Sequence, residues 1–201
     1  MTDPRSLFLV PFPSYTAQMR RLILIAILLL FSHELRATVL LPAEFREIVA
    51  GSQIIVYGRV ADVRPEWSDD RSRIDTIVTL TAGTYLKGGP GRSVTFRVPG
   101  GQIGRYRNLV VGAPQFQAGE EAVLFLSAAG PSIAHVFGLS QGVFRVKADA
   151  RSGQRLVVPP ILMSDSDVAQ LVTRGDPARR QLSLDQFAAT VRRAMSSGRA
   201  Q

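Results

Sequence analysis

Apolar and polar residues alternate with a period of two along much of the chain after residue 50. This period is typical of strands that bury one face, and glycine- and proline-containing turns separate the segments. Several short strands divided by such turns favour a small barrel or sandwich. The pattern predicts strands at these segments: Gln53–Asp62, Ile74–Leu86, Ser93–Val98, Ala122–Ser127, Ile133–Phe137, Val143–Lys147 and Arg155–Val158.

Some of these segments carry more specific predictions. Ala122–Ser127 is apolar at nearly every position, which predicts a strand buried on both faces. The next two apolar segments predict a hairpin pair around the turn Gly138–Gly142. Pro65–Arg73 is polar and Gln102–Gln117 has little periodicity, so both predict loops.

Two segments have the apolar spacing of helices. Pro42–Ala50 predicts a short helix that stops at Gly51. Leu182–Met195 predicts a closing helix, in which Ser183 and Gln186 are spaced as a capping box. The apolar stripe of the closing helix is narrow, so we expect it to pack on the strands.

The N-terminal segment has the three parts of a bacterial signal peptide. The basic pair Arg20–Arg21 precedes the apolar run Leu22–Phe31, and a short polar segment ends in the small residue Ala37. The run is shorter than the ~20 residues that span a bilayer. We therefore predict export by the general route, cleavage after Ala37 and a mature chain that begins at Thr38.

The start of translation stays open between Met1 and Met19, because Met19 directly precedes the basic pair. The predicted organisation is as follows: an untranslated or disordered extension at 1–18, a signal peptide at 19–37, a β-barrel domain at 38–158, a linker at 159–181, and a C-terminal helix and tail at 182–201.

Composition removes several kinds of chemistry. The chain has no cysteine, which excludes disulfides, thiolate metal ligands and a cysteine nucleophile. The formal net charge is +8, but the arginines are scattered and no aromatic–basic interleaving occurs. We therefore expect no nucleic-acid partner, and contact with a membrane only through the leader during export.

The segment Gly138–Gly142 matches the G-x-S-x-G pattern of a hydrolase nucleophile elbow. That chemistry needs a following helix and a later histidine, whereas here a predicted strand follows and no histidine lies beyond His135. We interpret the motif as a glycine-bounded turn and His135 as a strand residue. One imidazole without a thiolate also cannot form a zinc site.

Carboxylates are the remaining candidate chemistry. The pairs Asp69–Asp70 and Glu120–Glu121 could act as acid and base only if their environments separate their pKa values. Asp69–Asp70 and Ser164–Asp167 lack the ligand spacing of a calcium loop. The glycine-rich Gly88–Arg92 and Gly100–Gly104 lie between strands, not before helices. We predict no catalytic, cofactor-binding or metal-binding residue, with a carboxylate-based hydrolase as the alternative.

Trp67 is the single tryptophan and lies in the polar segment Pro65–Arg73. A large amphipathic ring among charged residues either contacts a partner or covers the end of the barrel. We identify Trp67 as the candidate partner contact.

Several strand landmarks together resemble a known group of proteins. The shared landmarks are the S-x-[apolar]₃-x-G-x-V opening at Ser52–Val60, the long strand Thr76–Gly88 ending in Leu-Lys-Gly, Val98–Gly101, Gly119–Leu126, and the G-L-x-Q-G-x-F segment Gly138–Phe144. They are similar to a group of uncharacterised bacterial exported proteins. The core of that group resembles the OB-like barrel of the tissue-inhibitor-of-metalloproteinases and netrin modules, over Phe45–Lys147.

The resemblance implies a mainly β fold: a small OB-like antiparallel β-barrel with a short N-terminal helix and a C-terminal helix, preceded by the signal-peptide helix. It also implies a binding role. The inhibitors place an N-terminal cysteine on the protease zinc, and this chain has no cysteine, so that mechanism is not implied. We expect a non-enzymatic periplasmic or extracellular domain that binds a protein, with a secreted protease as one candidate, or an envelope polymer. The remaining alternative is a membrane-tethered structural protein with an uncleaved leader.

Mass spectrometry of the chain isolated from an expressing bacterium tests the leader. We expect a mature N-terminus at Thr38, because Ala37 is the small residue that closes the polar segment. A chain that retains Leu22–Phe31 would contradict cleavage and support the membrane-tethered alternative.

Overall fold

The computed structural model describes residues 43–128, 133–160 and 180–197. The predicted extension, signal peptide and cleavage position at Ala37 and Thr38 lie outside the described residues, as do Ser164–Asp167 and most of the predicted linker. Within the described part of the chain, neither helix is long and apolar enough to cross a membrane.

Strands dominate the described residues. In chain order the elements are α1 (Phe45–Gly51), β1 (Ile54–Trp67), β2 (Ile74–Lys87), β3 (Ser93–Pro99), β4 (Gly101–Ile103), β5 (Tyr106–Asn108), β6 (Glu121–Ser127), β7 (Ala134–Val136), a 3₁₀ turn (Leu139–Gly142), β8 (Val143–Ala148), β9 (Arg155–Val158), β10 (Leu182–Ser183) and α2 (Leu184–Ser197).

Five strands close into a barrel because β1 pairs on both of its edges. It pairs with β2 along nearly its whole length and with β6 over Ile54–Arg59. The pairs β2–β3, β3–β7 and β7–β6 complete the circuit. The predicted mainly β fold, a small barrel with one helix near its start and one at its end, is confirmed. The barrel is not purely antiparallel, however, since β3 and β7 run parallel.

Strand β6 is buried on both faces, as its continuous apolar sequence predicts. Ala122, Leu124 and Leu126 belong to the core inside the barrel. Val123 and Phe125 belong to a second core, between the outer wall of the barrel and the two helices. Successive side chains of a strand point to opposite faces, so one strand lines both cores.

Four phenylalanines hold the helices to the barrel wall. Phe45 of α1 packs edge-on against Phe125, Phe144 and Phe187, at ring-centroid separations of 5.9, 6.0 and 5.7 Å. The start of α2 is fixed by the predicted capping box. The Gln186 amide donates to the Ser183 hydroxyl, and the Ser183 amide donates to the Gln186 side chain, both at 3.2 Å.

The predicted hairpin of Ile133–Phe137 with Val143–Lys147 is wrong. Strands β7 and β8 both pair with the same edge of β6, with Val136 opposite Leu126 and Val143 opposite Leu124. Together they form one interrupted strand along this edge of β6, with the 3₁₀ turn between its two parts. Two apolar runs around a glycine-bounded turn have the same local pattern in both arrangements. The long free edge of β6 decides between them.

Glycine is required at position 142, the last residue of the 3₁₀ turn before β8 begins. A Cβ atom there would lie 2.7 Å from the Phe137 carbonyl oxygen and 2.9 Å from that of Phe125. The Gly142 amide donates to the same Phe137 carbonyl at 3.0 Å. The close approach of three backbone segments therefore excludes a side chain.

Two predicted loops also contain strands. Strand β1 continues through Trp67, which lies opposite Ile74 of β2, so only residues 68–73 form the turn. Pro65 is tolerated because this part of β1 is paired only with β2, and proline is accepted on an edge. The predicted loop Gln102–Gln117 overlaps the β4–β5 hairpin, whose three-residue strands are too short to show a period.

Replacement of Phe187 by alanine tests the helix-docking core. Phe187 is fully buried among the other three rings, so Phe187→Ala should lower the free energy of unfolding by about 3–5 kcal/mol. Urea denaturation measures this change. Arg192→Ala, at an exposed position of the same helix, should change it by less than about 0.5 kcal/mol. Equal effects of the two substitutions would show that α2 does not depend on this core.

Candidate functional site

Two exposed connections meet at one end of the barrel, and Trp67 lies between them. The Trp67 ring packs against Tyr106 of the β4–β5 hairpin, with centroids 5.5 Å apart and planes at 69°. Trp67 remains 37% exposed and Tyr106 51% exposed. We call the following residues the Trp67 surface: Glu66, Trp67, Ser68, Asp69, Asp70, Arg73, Asp75, Ile77, Arg97 and Tyr106. All except Tyr106 line one cleft of about 250 Å³.

Backbone and side-chain hydrogen bonds fix the hairpin against β2. The Gly100 amide donates to the Ile74 carbonyl at 3.0 Å, and the Asn108 side-chain amide donates to the same carbonyl at 3.3 Å. The Thr76 hydroxyl donates to the Gly100 carbonyl at 2.6 Å. These hydrogen bonds therefore hold Tyr106 beside Trp67, although the two connections are distant in sequence.

The turn between β1 and β2 is organised around the Asp70 carboxylate. This group accepts hydrogen bonds from the Ser68 hydroxyl at 2.6 Å, the Ser72 hydroxyl at 2.8 Å and the Ser72 amide at 3.1 Å. These donors, first Ser68 and then Ser72, lower the pKa of Asp70 to about 2. The turn therefore carries a fixed negative charge at neutral pH.

The carboxylates of the Trp67 surface are unequally neutralised. Asp75 is buried and lies 3.3 Å from the Arg73 guanidinium and 3.6 Å from that of Arg97. Glu66 pairs with an arginine outside the cleft. Asp69 and Asp70 make no ion pair with another described residue.

The charge of the cleft lining follows from the groups it contains. Four carboxylates and two guanidiniums give 2 − 4 = −2, in a chain whose formal net charge is +8. The carboxylates without an ion pair, Asp69 and Asp70, line the same cleft as the exposed indole of Trp67. Such an arrangement suits a cationic group, which an aromatic face and a carboxylate can bind together.

A second polar cluster lies on the outer wall, where Glu121 joins three strands. Its carboxylate accepts hydrogen bonds from the Tyr57 hydroxyl at 2.8 Å and from the Arg155 Nε at 3.0 Å, and it pairs with Arg59. An open cleft of about 420 Å³ adjoins the cluster, with Gly58, Ala82 and Gly83 in its lining.

The pKa values of Glu121 and Tyr57 in this cluster are both shifted away from neutral pH. Burial raises the pKa of Glu121, but hydrogen bonds from Tyr57 and Arg155 and the charges of Arg155 and Arg59 outweigh burial, so the net pKa is lowered. Burial, together with the neighbouring carboxylate, raises the pKa of Tyr57. The cluster holds an ionised carboxylate and a neutral phenol, and it works as a cross-link of β1, β6 and β9.

The candidate pair Glu120–Glu121 is divided between two ion pairs. Glu120 pairs with Arg145, whereas Glu121 pairs with Arg59 and Arg155. Each carboxylate is therefore engaged with its own arginines. In the other candidate pair, Asp69 and Asp70 are both exposed in the turn at the barrel end.

The G-x-S-x-G segment forms the 3₁₀ turn and is followed directly by β8 rather than by a helix. The Ser140 amide donates to the Gly112 carbonyl at 3.1 Å. His135 is exposed on β7, where its register partners are Arg97 and Ser127. Among the described residues, no group of three His, Asp or Glu side chains is placed to hold a metal ion.

Two features of these sites escape sequence reasoning. Tyr106 lies in a segment without periodicity, and its contact with Trp67 depends on where the hairpin folds back. The Tyr57–Glu121–Arg155 cluster joins three strands that are far apart along the chain. No protein-family model, curated protein or solved structure matches this chain. The resemblance to the exported group and to the inhibitors therefore stays a prediction.

The pH dependence of stability tests the Glu121 cluster. A carboxyl whose pKa is lower in the folded state stabilises the protein above its ordinary pKa of 4.5, and this contribution is lost as the pH falls through the lowered value. We therefore expect the unfolding free energies of wild type and Glu121→Gln to differ most near neutral pH and to converge in acid. Urea denaturation over a pH series measures the difference.

The exposed carboxylate Asp62 of β1, the strand that pairs with β6, provides the matched control. Asp62→Asn should leave the shape of the stability–pH curve unchanged. A difference between wild type and Glu121→Gln that stays constant down to strong acid would contradict the lowered pKa.

Proposed function

We propose that this chain is a non-enzymatic exported domain that binds a polypeptide partner through the Trp67 surface. One observation carries the proposal: an exposed tryptophan in contact with Tyr106 shares a cleft with two carboxylates that have no ion-pair partner among the described residues. Tryptophan is enriched among the residues that dominate binding energy in interfaces.

The chemistry of the cleft defines the partner segment. A lysine or arginine side chain can lie over the indole face while its charged end meets Asp69 and Asp70. The negative lining favours a basic polypeptide over an anionic envelope polymer, although the net positive charge of the chain keeps such a polymer as the second candidate. A secreted protease is one protein class that could supply a basic segment.

Export is supported by the sequence features before residue 38. The basic pair, the apolar run and the small residue Ala37 together have the order of a signal peptide. A bacterial periplasmic or extracellular location follows from that prediction. The absence of cysteine is compatible with it, since a domain with two large apolar cores can be stable without disulfides.

A carboxylate-based hydrolase has less support. Acid–base catalysis by two carboxyls needs one of them to hold a proton near neutral pH. The pKa of Glu121 and the pKa of Asp70 are both lowered, and Glu120 and Glu121 are engaged with different arginines. The membrane-tethered alternative depends on residues 22–31, outside the described residues.

Affinity capture from the periplasm and medium of the native host tests the proposal. We expect one retained protein, whose retention falls at least about tenfold in Trp67→Ala and in the double variant Asp69→Asn/Asp70→Asn, as for a binding hot spot. Ile133→Ala removes another exposed apolar side chain, 45% exposed, and should retain the partner fully. Urea denaturation of each variant separates lost binding from lost folding.

Two results would overturn the proposal. One is retention that is equal in the Trp67 and Ile133 variants. The other is the absence of any retained protein together with hydrolysis of a panel of ester, amide or glycoside substrates by the purified chain.

A further inference from the structure

The segment that follows the β4–β5 hairpin presents three consecutive apolar residues to solvent. Leu109 is 67% exposed, Val110 36% and Val111 94%. Val111 and Gly112 form a turn, and Gly112 has a φ of 81°. Isolated exposed apolar side chains are common on protein surfaces, but three in succession at one turn need a reason.

The turn is held in a fixed shape. On one side, the Asn108 side chain donates to the Ile74 carbonyl at 3.3 Å. On the other side, the Ala113 amide donates to the Val110 carbonyl at 3.1 Å, and the Ser140 amide donates to the Gly112 carbonyl at 3.1 Å. Bonds at both ends present the apolar side chains in a preformed arrangement, which reduces the entropy lost on binding.

Positive charge accompanies the apolar turn. Arg105 and Arg107 are exposed, and neither makes an ion pair with another described residue. Between them lies Tyr106, whose hydroxyl accepts a hydrogen bond from the Arg105 guanidinium at 2.9 Å. The whole segment Thr76–Gly119 contains five basic residues and no acidic residue.

We propose that the segment Arg105–Val111 docks the domain on an anionic phospholipid surface. Leu109 and Val111 insert at the boundary between headgroups and acyl chains, while Arg105 and Arg107 meet lipid phosphates and Tyr106 lies at the interface. This interaction lies outside the binding of a basic polypeptide by the Trp67 surface. It also departs from the sequence-based expectation that only the leader contacts a membrane.

Size and charge favour a lipid surface over a protein or a second copy of this chain. A stable protein interface buries ~800 Å² on each partner, which three aliphatic side chains on one turn cannot supply. A bilayer deforms around a projecting turn and supplies phosphates to the unpaired arginines. Asp69 and Asp70 line the same cleft as Trp67, which contacts Tyr106. Their negative charge opposes docking on an anionic surface, whereas it favours binding of a basic polypeptide.

Vesicle co-sedimentation tests the inference. The probes are vesicles of phosphatidylcholine alone and vesicles of equimolar phosphatidylcholine and phosphatidylglycerol. The protein is the chain purified after export, with its N-terminus determined. We expect binding to the anionic vesicles and at least about a tenfold weaker affinity for Leu109→Asp/Val111→Asp. The control Ile133→Asp should bind as wild type does.

The arginines provide a second, independent variant. Arg105→Gln/Arg107→Gln should weaken binding to anionic vesicles by about fivefold for each charge removed, with no change on phosphatidylcholine. Asp69→Asn/Asp70→Asn should bind anionic vesicles at least as tightly as wild type, although we expect it to lose the polypeptide partner. Failure of lipid docking and failure of the proposed function are thereby distinguishable.

Three results would overturn the inference. The first is that the wild type binds neither kind of vesicle. The second is that Leu109→Asp/Val111→Asp and Arg105→Gln/Arg107→Gln both bind vesicles as the wild type does. The third is that light scattering shows a wild-type dimer that Leu109→Asp/Val111→Asp loses. The last result would assign the turn to a second copy of the chain. Circular dichroism and thermal unfolding must first show that each variant is folded as wild type is.

Discussion

Strand β6 is the wall that both hydrophobic cores share, and the rest of the structure depends on its burial. Its alternate side chains line the barrel interior on one face and the helix-covered core on the other. One edge of β6 closes the barrel against β1, and the other carries both β7 and β8. Helices α1 and α2 cover the outer face of β6 through Phe45 and Phe187. The turn at residues 68–73, at the other end of β1 from α1, stays largely exposed.

The exposed end differs from the rest of the surface in how its charges are compensated. On the outer wall, Glu121 is bound by a phenol and two guanidiniums, which compensate its charge and link three strands. At the barrel end, serine hydroxyls and an amide hold the ionised Asp70, and no described cation pairs with it. This charged, aromatic end is the basis of the proposed binding role, in which the connections between strands carry the contacts and the sheet holds them in place.

The local sequence pattern predicted an element correctly where the residues of that element alone indicate its burial or its first residue. The continuous apolar run of β6 indicated burial on both faces, and the spacing of Ser183 and Gln186 indicated the start of α2. Trp67 was identified from its charged neighbours, but its partner Tyr106 was not, since their contact depends on the folding back of β4 and β5. The interruption between β7 and β8 was mistaken for a hairpin turn because the competing edge of β6 is separated from it along the chain.

Site-specific photocrosslinking in living cells tests the assignment of binding to the barrel end most directly. A photoreactive amino acid at position 66 is next to Trp67 on the open cleft and leaves Asp69 and Asp70 in place. The same group at position 192 lies on the exposed side of α2. The account predicts a covalent adduct with one polypeptide from position 66 and none from position 192. Adducts of equal yield from both positions, or from position 192 alone, would contradict it.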